Sequence, residues 1–139
     1  MNDAERRRME QVDNRTALHL LSSVAFGRLA YSRHALPTIR PVNHLMDNGN
    51  ILVYSHIDAG LDGAAGQIVA YEADSIGTEG ELDWNVVVTG KAELVGDVLA
   101  AAWFARLPGS GTEPEPGTMP TMLRISAELV DGFAVPGRR

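Results

Sequence analysis

Apolar residues recur at two periods along the chain, and the switches between them mark its elements. Near the start, Ala17, Leu18, Leu21 and Val24 fall close to a 3.6-residue period, which predicts the buried stripe of a helix. Residues from about 3 to 23 read as helical, with Asp3 able to cap a polar first piece and Asp13 or Asn14 a second, amphipathic one. Phe26-Gly27 ends that pattern. Arg28 to Ser32 then alternates with a period of two, as a half-buried strand does, and His34-Ala35-Leu36-Pro37 reads as a turn. Thr38 to Met46 alternates again. Ile39, Pro41, Asn43 and Leu45 share one face, and Thr38, Arg40, Val42, His44 and Met46 the other. Asp47-Asn48-Gly49-Asn50 predicts a hairpin into strand Ile51–Ser55, because Asn-Gly supplies the positive φ angles such a turn needs.

Asp58 to Gly66 is rich in Gly and Ala and long enough for one or two helical turns. Gln67–Glu72 reads as a strand, Asp74–Asp83 as a polar loop, and Trp84–Val95 as the longest strand. Gly90 in the middle of that strand predicts a bulge or a close backbone approach. Asp97 can cap a helix to about Arg106 with Val98, Leu99, Ala102 and Trp103 inward. Residues 108–120 hold too much Gly and Pro for regular structure and read as a flexible loop. Leu123, Ile125, Ala127 and Leu129 alternate in a last strand that ends near Val135. Six strands joined mainly by hairpins, with few helices, predict a mainly β fold: an antiparallel barrel or sandwich with short peripheral helices. Closing the sheet removes its edges and leaves a mouth or seam for a ligand.

Composition narrows the function. A chain of 139 residues, 45% hydrophobic and 22% charged, suits one domain, 1–139, with residues 1–13 as a helical extension. The net charge of −6 argues against nucleic acid as a partner, and no apolar run approaches the length of a membrane span. The charged start does not resemble a secretory leader, so a soluble, cytoplasmic domain is expected. With no Cys there is no disulfide framework and no thiolate nucleophile or ligand. His19, His34, His44 and His56 show no metal-ligand spacing, and no metal site is expected. Residues 1–40 hold seven Arg against four acids, whereas 41–139 hold five bases against fourteen acids. An anionic ligand must therefore use the early arginines or backbone N–H groups. Neither a nucleophile elbow nor a P-loop or dinucleotide fingerprint is present, and no side chain stands out as a general acid or base.

The order of several segments carries a resemblance. Leu20-Leu21-Ser22-Ser23-Val24-Ala25-Phe26-Gly27-Arg28-Leu29-Ala30 is followed by Leu36-Pro37-Thr38-Ile39-Arg40-Pro41-Val42-Asn43. Val69-Ala70-Tyr71-Glu72-Ala73-Asp74 and Trp84-Asn85-Val86-Val87-Val88-Thr89-Gly90-Lys91-Ala92-Glu93 come next. Over about residues 14–135 this series resembles the pyridoxamine 5'-phosphate oxidase-like family, the flavin-binding split barrels. The resemblance implies a six-stranded antiparallel split β-barrel, a homodimer, and flavin mononucleotide (FMN) at the subunit interface. It also implies that the backbone of Arg40, Pro41, Val42 and Asn43 runs beside the isoalloxazine edge. Tyr54, Ser55 and His56, with the following Gly60 and Leu61, would hold the phosphate, and Trp84 would approach the ring from the partner chain. For each side chain a structural role stands beside the cofactor role. Arg40 is either a phosphate partner or a surface cation, His56 a phosphate donor or a loop residue, Trp84 a core or dimer-packing residue or a ring contact. Asn43 suits a buried hydrogen bond.

One departure sets two functions against each other. Where relatives place Ser-Lys or Ser-Arg before the Leu of the phosphate segment, this chain has Ala59-Gly60, then Leu61-Asp62. Losing a hydroxyl and a cation from a phosphate site costs about a hundredfold or more in affinity. The expected function is an FMN-dependent oxidoreductase. Its alternative is a non-catalytic flavin, deazaflavin or haem binder, or a dimeric barrel without a cofactor. A third reading has the acidic 109–119 loop recruit a partner protein.

Overall fold

In the computed structural model, residues 8–55, 60–107 and 119–137 are described. They form strand β1 (Glu10–Val12), helix α1 (Asn14–Ser22), β2 (Phe26–Arg33), β3 (Leu36–Asp47), β4 (Asn50–Tyr54), a single 3-10 turn (Leu61–Ala64), β5 (Ile68–Ile76), β6 (Leu82–Leu94), helix α2 (Asp97–Ala105), β7 (Met122–Ile125) and β8 (Leu129–Ala134). All strand pairs are antiparallel, in the order β1-β8-β6-β5-β2-β3-β4-β7. A further pairing of β7 with β6 closes β6-β5-β2-β3-β4-β7 into a six-stranded barrel and leaves β1 and β8 outside the ring.

The turns follow their local chemistry. Asn48 and Gly49, at φ 50° and 85°, make the tight β3–β4 hairpin that Asn-Gly predicts. Asp13 caps α1 by accepting a hydrogen bond from the Thr16 N–H at 2.7 Å. Alternation then divides the side chains. Leu29, Val42, Ile51, Val53, Tyr71, Val86 and Val88 fill the barrel, and Ala17, Leu20 and Leu21 of α1 join the same cluster. Outward-facing Leu52 and Tyr54 of β4 form a second cluster with Met122, Val95, Ala100 and Phe104, so α2 covers that side of the sheet.

Five details differ from the pattern, the first being that β5 runs to Ile76 and β6 begins at Leu82, so the polar loop expected over Asp74–Asp83 is residues 77–81. Residues 10–12 pair with β8 as a strand rather than continuing a helix, while residues 1–7 lie outside the described residues. The single C-terminal strand is two: β7 pairs with β4 and the end of β6, and β8 with the first half of β6. Gly96, not Asp97, is the N-cap of α2, and it makes no side-chain capping bond. The helix buries Ala100 and Phe104 and leaves Val98 89% exposed. Its sequence, Asp-Val-Leu-Ala-Ala-Ala-Trp-Phe-Ala, is apolar all round, so periodicity could not choose its inward side. Residues 108–118 of the Gly/Pro-rich segment lie outside the described residues.

Gly90 marks the break between β7 and β8. Ser126 N–H donates to the Lys91 carbonyl at 3.1 Å and Glu128 N–H to the Thr89 carbonyl at 3.2 Å, which draws the 126–128 corner onto β6. A Cβ at position 90 would overlap the Ser126 carbonyl oxygen. The close approach that a mid-strand glycine predicts is therefore present, and its partner is backbone that cannot step aside. Gly90→Ala is expected to lower the unfolding free energy by about 3 kcal/mol. A urea midpoint equal to that of the parent protein would show that the corner does not need the gap.

Candidate functional site

Along β3 the pleat sends Arg40 and Val42 to the barrel side and Pro41 and Asn43 outward. Val42 is buried in the core, and the Arg40 guanidinium donates to the Ile39 carbonyl at 3.2 Å. The Asn43 amide is half-buried and donates to the Ala25 carbonyl at 3.2 Å. β2 pairs with β3 from Arg33↔Leu36 to Phe26↔Asn43, but β4 pairs only from Asn43↔Tyr54 onward. Strand pairing on the β4 side of β3 thus ends at Asn43. From there to Leu36 that side of β3 has no strand partner among the described residues, and this is where the barrel opens.

The other expected site residues distribute around this opening unevenly. Tyr54 stands opposite Asn43, but its ring packs edge-on against Phe104 at 5.2 Å, and burial pushes its hydroxyl pKa up. Ser55 is buried just beyond it. His56 lies outside the described residues. Leu61 is in the barrel core. Trp84 is 5% exposed and packs in the core of its own chain, with β5 and β2 between its strand and β3. Within the protomer, Trp84 has its structural role.

Gly60 is drawn to a different neighbour from those the sequence suggested. It adopts a left-handed conformation, φ 69°, and a Cβ there would come within 3.2 Å of Arg33 Nη1. The Tyr31 hydroxyl donates to the Gly60 carbonyl at 3.4 Å. Ser32, Arg33 and His34 of the β2–β3 hairpin face Gly60, Asp62, Gly63 and Gln67 across an open pocket of about 370 Å³. Gln67 ties the two walls together. Its carbonyl accepts from Ser32 N–H at 3.0 Å, and its amide donates to the carbonyls of Ser32 at 2.7 Å and Gly63 at 2.8 Å. The hairpin turn is built from His34 and Ala35 at φ 52° and 63°, where glycine or asparagine is usual. Arg33, His34 and Gln67 were not singled out in the sequence. The excess of arginine before residue 40 was the available signal, but it could not say which arginine the hairpin register would bring to Gly60.

Two further polar groups shape this half of the barrel. On its outer face, Arg28 pairs with Glu72 at 2.8 Å and Asp74 at 3.2 Å, and the Asn85 amide donates to Glu72 at 2.7 Å. Burial, then the neighbouring Asp74 carboxyl, raises the Glu72 pKa, which Arg28 opposes. Inside, His44 is 3% exposed and bridges three elements: Nε2 lies 2.9 Å from the Leu21 carbonyl of α1, and Nδ1 meets the Tyr71 hydroxyl of β5. A carbonyl only accepts, so Nε2 carries the proton and Nδ1 accepts from the tyrosine. Both nitrogens are occupied, and among the described residues no group of three His, Asp or Glu is placed to hold a metal. No helix among them is long and apolar enough to cross a membrane.

A closed antiparallel ring with one strand edge left open defines a small split barrel. A family model described as pyridoxamine 5'-phosphate oxidase matches residues 13–132, and the chain belongs to that family. It is 36% identical over 135 residues to the uncharacterized protein Rv0080 of Mycobacterium tuberculosis, covering 93% of this chain and 87% of that one. Among solved structures it is similar to the FAD binding protein from Mycobacterium smegmatis, with a TM-score of 0.64, 22% identity, and coverage of 91% and 97% of the two chains. The FAD and heme binding protein from the same organism gives a TM-score of 0.71 at 14% identity, covering 93% and 74%. At those identities the two structures support the fold.

Burial lowers the His44 pKa from its ordinary 6.5, more than its backbone hydrogen bonds raise it. The folded state therefore holds this ring neutral, while the unfolded chain gains a proton as pH falls through about 6.5. The stability His44 contributes is complete above that value and is lost as pH falls below it, by up to about 1.4 kcal/mol per pH unit. Urea unfolding of the parent and of His44→Asn between pH 5.5 and 7.5 checks this. The parent should lose stability toward pH 5.5 relative to the variant, and parallel profiles would contradict the assignment.

Proposed function

We propose that the protein is a cytoplasmic homodimeric flavoprotein that binds a flavin nucleotide along the open edge of β3 and uses it in an oxidoreductase reaction. The observation that carries this reading is the opening itself. Strand pairing with β4 ends at Asn43, at the segment Arg40–Asn43 that the family resemblance would set beside the isoalloxazine edge. A flat ring with a polar rim suits strand backbone flanked by small and branched side chains. FMN is the expected nucleotide. FAD is the one named for two similar solved structures, which makes both worth testing.

The residues present fit such a group. Arg33 offers a guanidinium at Gly60, where the chain itself lacks a Ser-Lys pair. Val42 and Leu61 are held in the core, so the backbone on either side of the opening is fixed before a ligand arrives. When bound, a flavin supplies hydride and single-electron chemistry, and the protein need only orient it and limit water. That division fits a site in which His44 is neutral, enclosed and engaged by Leu21 and Tyr71.

Support for a second copy comes from the outer face. Ile39 is 64% exposed and lines a groove of about 270 Å³ with Ala30, Ala70 and the Arg28–Glu72–Asp74 cluster. A twin packed there would cover apolar surface next to Pro41. A second reading, a barrel without a bound nucleotide, is favoured by Asp62, an acid in the pocket beside Gly60 that would repel a phosphate.

Visible absorption of the purified protein and titration with FMN and FAD test the proposal. Flavin bands that bleach with dithionite, in a species of about twice 15.0 kDa by sedimentation, are expected. A colourless protein that binds neither nucleotide contradicts the flavin reading, and flavin that stays inert to every donor favours binding without turnover.

A further inference from the structure

We propose that the open edge of β3 is built to refuse a further strand, with Pro37 and Pro41 as the residues that block it. The direction of each backbone group follows from the ladder. The His44 N–H donates to the Ala25 carbonyl at 3.0 Å, so His44 turns its backbone groups toward the β2 side. Backbone groups alternate in side along a strand, so Val42, Arg40, Thr38 and Leu36 also face β2, opposite Gly27, Leu29, Tyr31 and Arg33. Pro41, Ile39 and Pro37 face the other way, as does Asn43, which meets Tyr54 of β4.

The two prolines share the one parity that spares the fold. A proline among the residues facing β2 would remove a ladder hydrogen bond. On the outer parity it removes only a donor that no strand of the described residues accepts from. Along the opening, from Leu36 to Val42, the outer side keeps the carbonyls of Pro37, Ile39 and Pro41 but only the N–H of Ile39. The Ile39 carbonyl in turn accepts from the Arg40 guanidinium at 3.2 Å.

A strand laid along this edge would need an N–H from every second residue of β3. Its carbonyls opposite Pro37 and Pro41 would be enclosed without donors, at a cost of about 1–3 kcal/mol each. A small molecule makes no such periodic demand. The block answers a hazard of this architecture, because β3 is 12 residues long and its open part carries Leu36 and Ile39 at 67% and 64% exposure. Long, apolar, unpaired edges are what let copies of a chain join edge to edge. The terminal strand β1 is three residues long and needs no such protection. The block acts with or without a bound nucleotide.

Sedimentation of the full chain over a concentration series compares the parent with Pro37→Thr, Pro41→Thr and the double variant. Threonine is polar, suits a strand and restores the N–H. The parent should keep one size. The double variant's weight-average mass should climb with concentration to about twice the parent's or more, with each single variant between. Hydrogen exchange locates the contact: amides 37, 39 and 41 should exchange slowly in the assembled double variant, and amide 39 fast in the parent. Urea midpoints show which variants are folded, and the single variants carry the same comparison if the double variant is not. An unchanged mass in the folded variants overturns the block, and so does a larger species whose new amides still exchange fast. Whether the parent sediments as one chain or two bears on the homodimer proposed above and leaves the block standing.

Discussion

The fold depends on one strand whose outer edge serves two partners. β6 pairs with β5 from Leu82 to Lys91, while its other edge is divided between β8 and β7. The division is possible because position 90 carries no side chain, so the 126–128 corner can hydrogen-bond to Thr89 and Lys91. With that edge filled at both levels, the ring closes through β7 and β4 and the barrel interior is sealed. The discontinuity lies at the β3–β4 junction, where β3 outruns β4. A ring of unequal strands must open somewhere, and here it opens beside a basic hairpin.

His44 secures the same half of the barrel from within. Its ring joins the end of α1 to β5 through β3, so three elements that are distant in sequence share one set of hydrogen bonds. A buried histidine so satisfied costs little in its neutral form and much in its charged form. It holds the inner side of β3 directly behind Asn43, where the opening begins. The outer side carries the Arg28–Glu72–Asp74 cluster and half-exposed or exposed apolar residues, among them Ile39.

Much of the fold was legible because its signals are local. The Asn48-Gly49 turn, the alternation in β3 and β4, the Asp13 cap and the glycine at 90 each rest on backbone chemistry that neighbouring residues decide. Three features were not legible for the opposite reason. β1 is three residues long and exists only because β8 offers it an edge. α2 is apolar on every side, so its inward face is chosen by Tyr54 and Met122, which come from other elements. The break between β7 and β8 depends on β6, more than thirty residues earlier.

The site was legible in the same partial way. The Arg40–Asn43 segment, placed by the family resemblance, lies where β3 loses its β4 partner. Trp84 was read with two roles, and the structure packs it in the core of its own chain. The nearness of Arg33 to Gly60 was not legible, since an arginine at a hairpin end looks like any surface cation until the register shows which residue it neighbours. A flavin bound as proposed lies along one continuous stretch, from Asn43 along β3 to Gly60. Backbone amide shifts in an NMR titration of the 15.0 kDa chain with FMN address that directly. Shifts gathered at Arg33, Arg40, Asn43, Gly60 and Leu61 are predicted; shifts confined to α2 and β7, or none at saturating nucleotide, would contradict it.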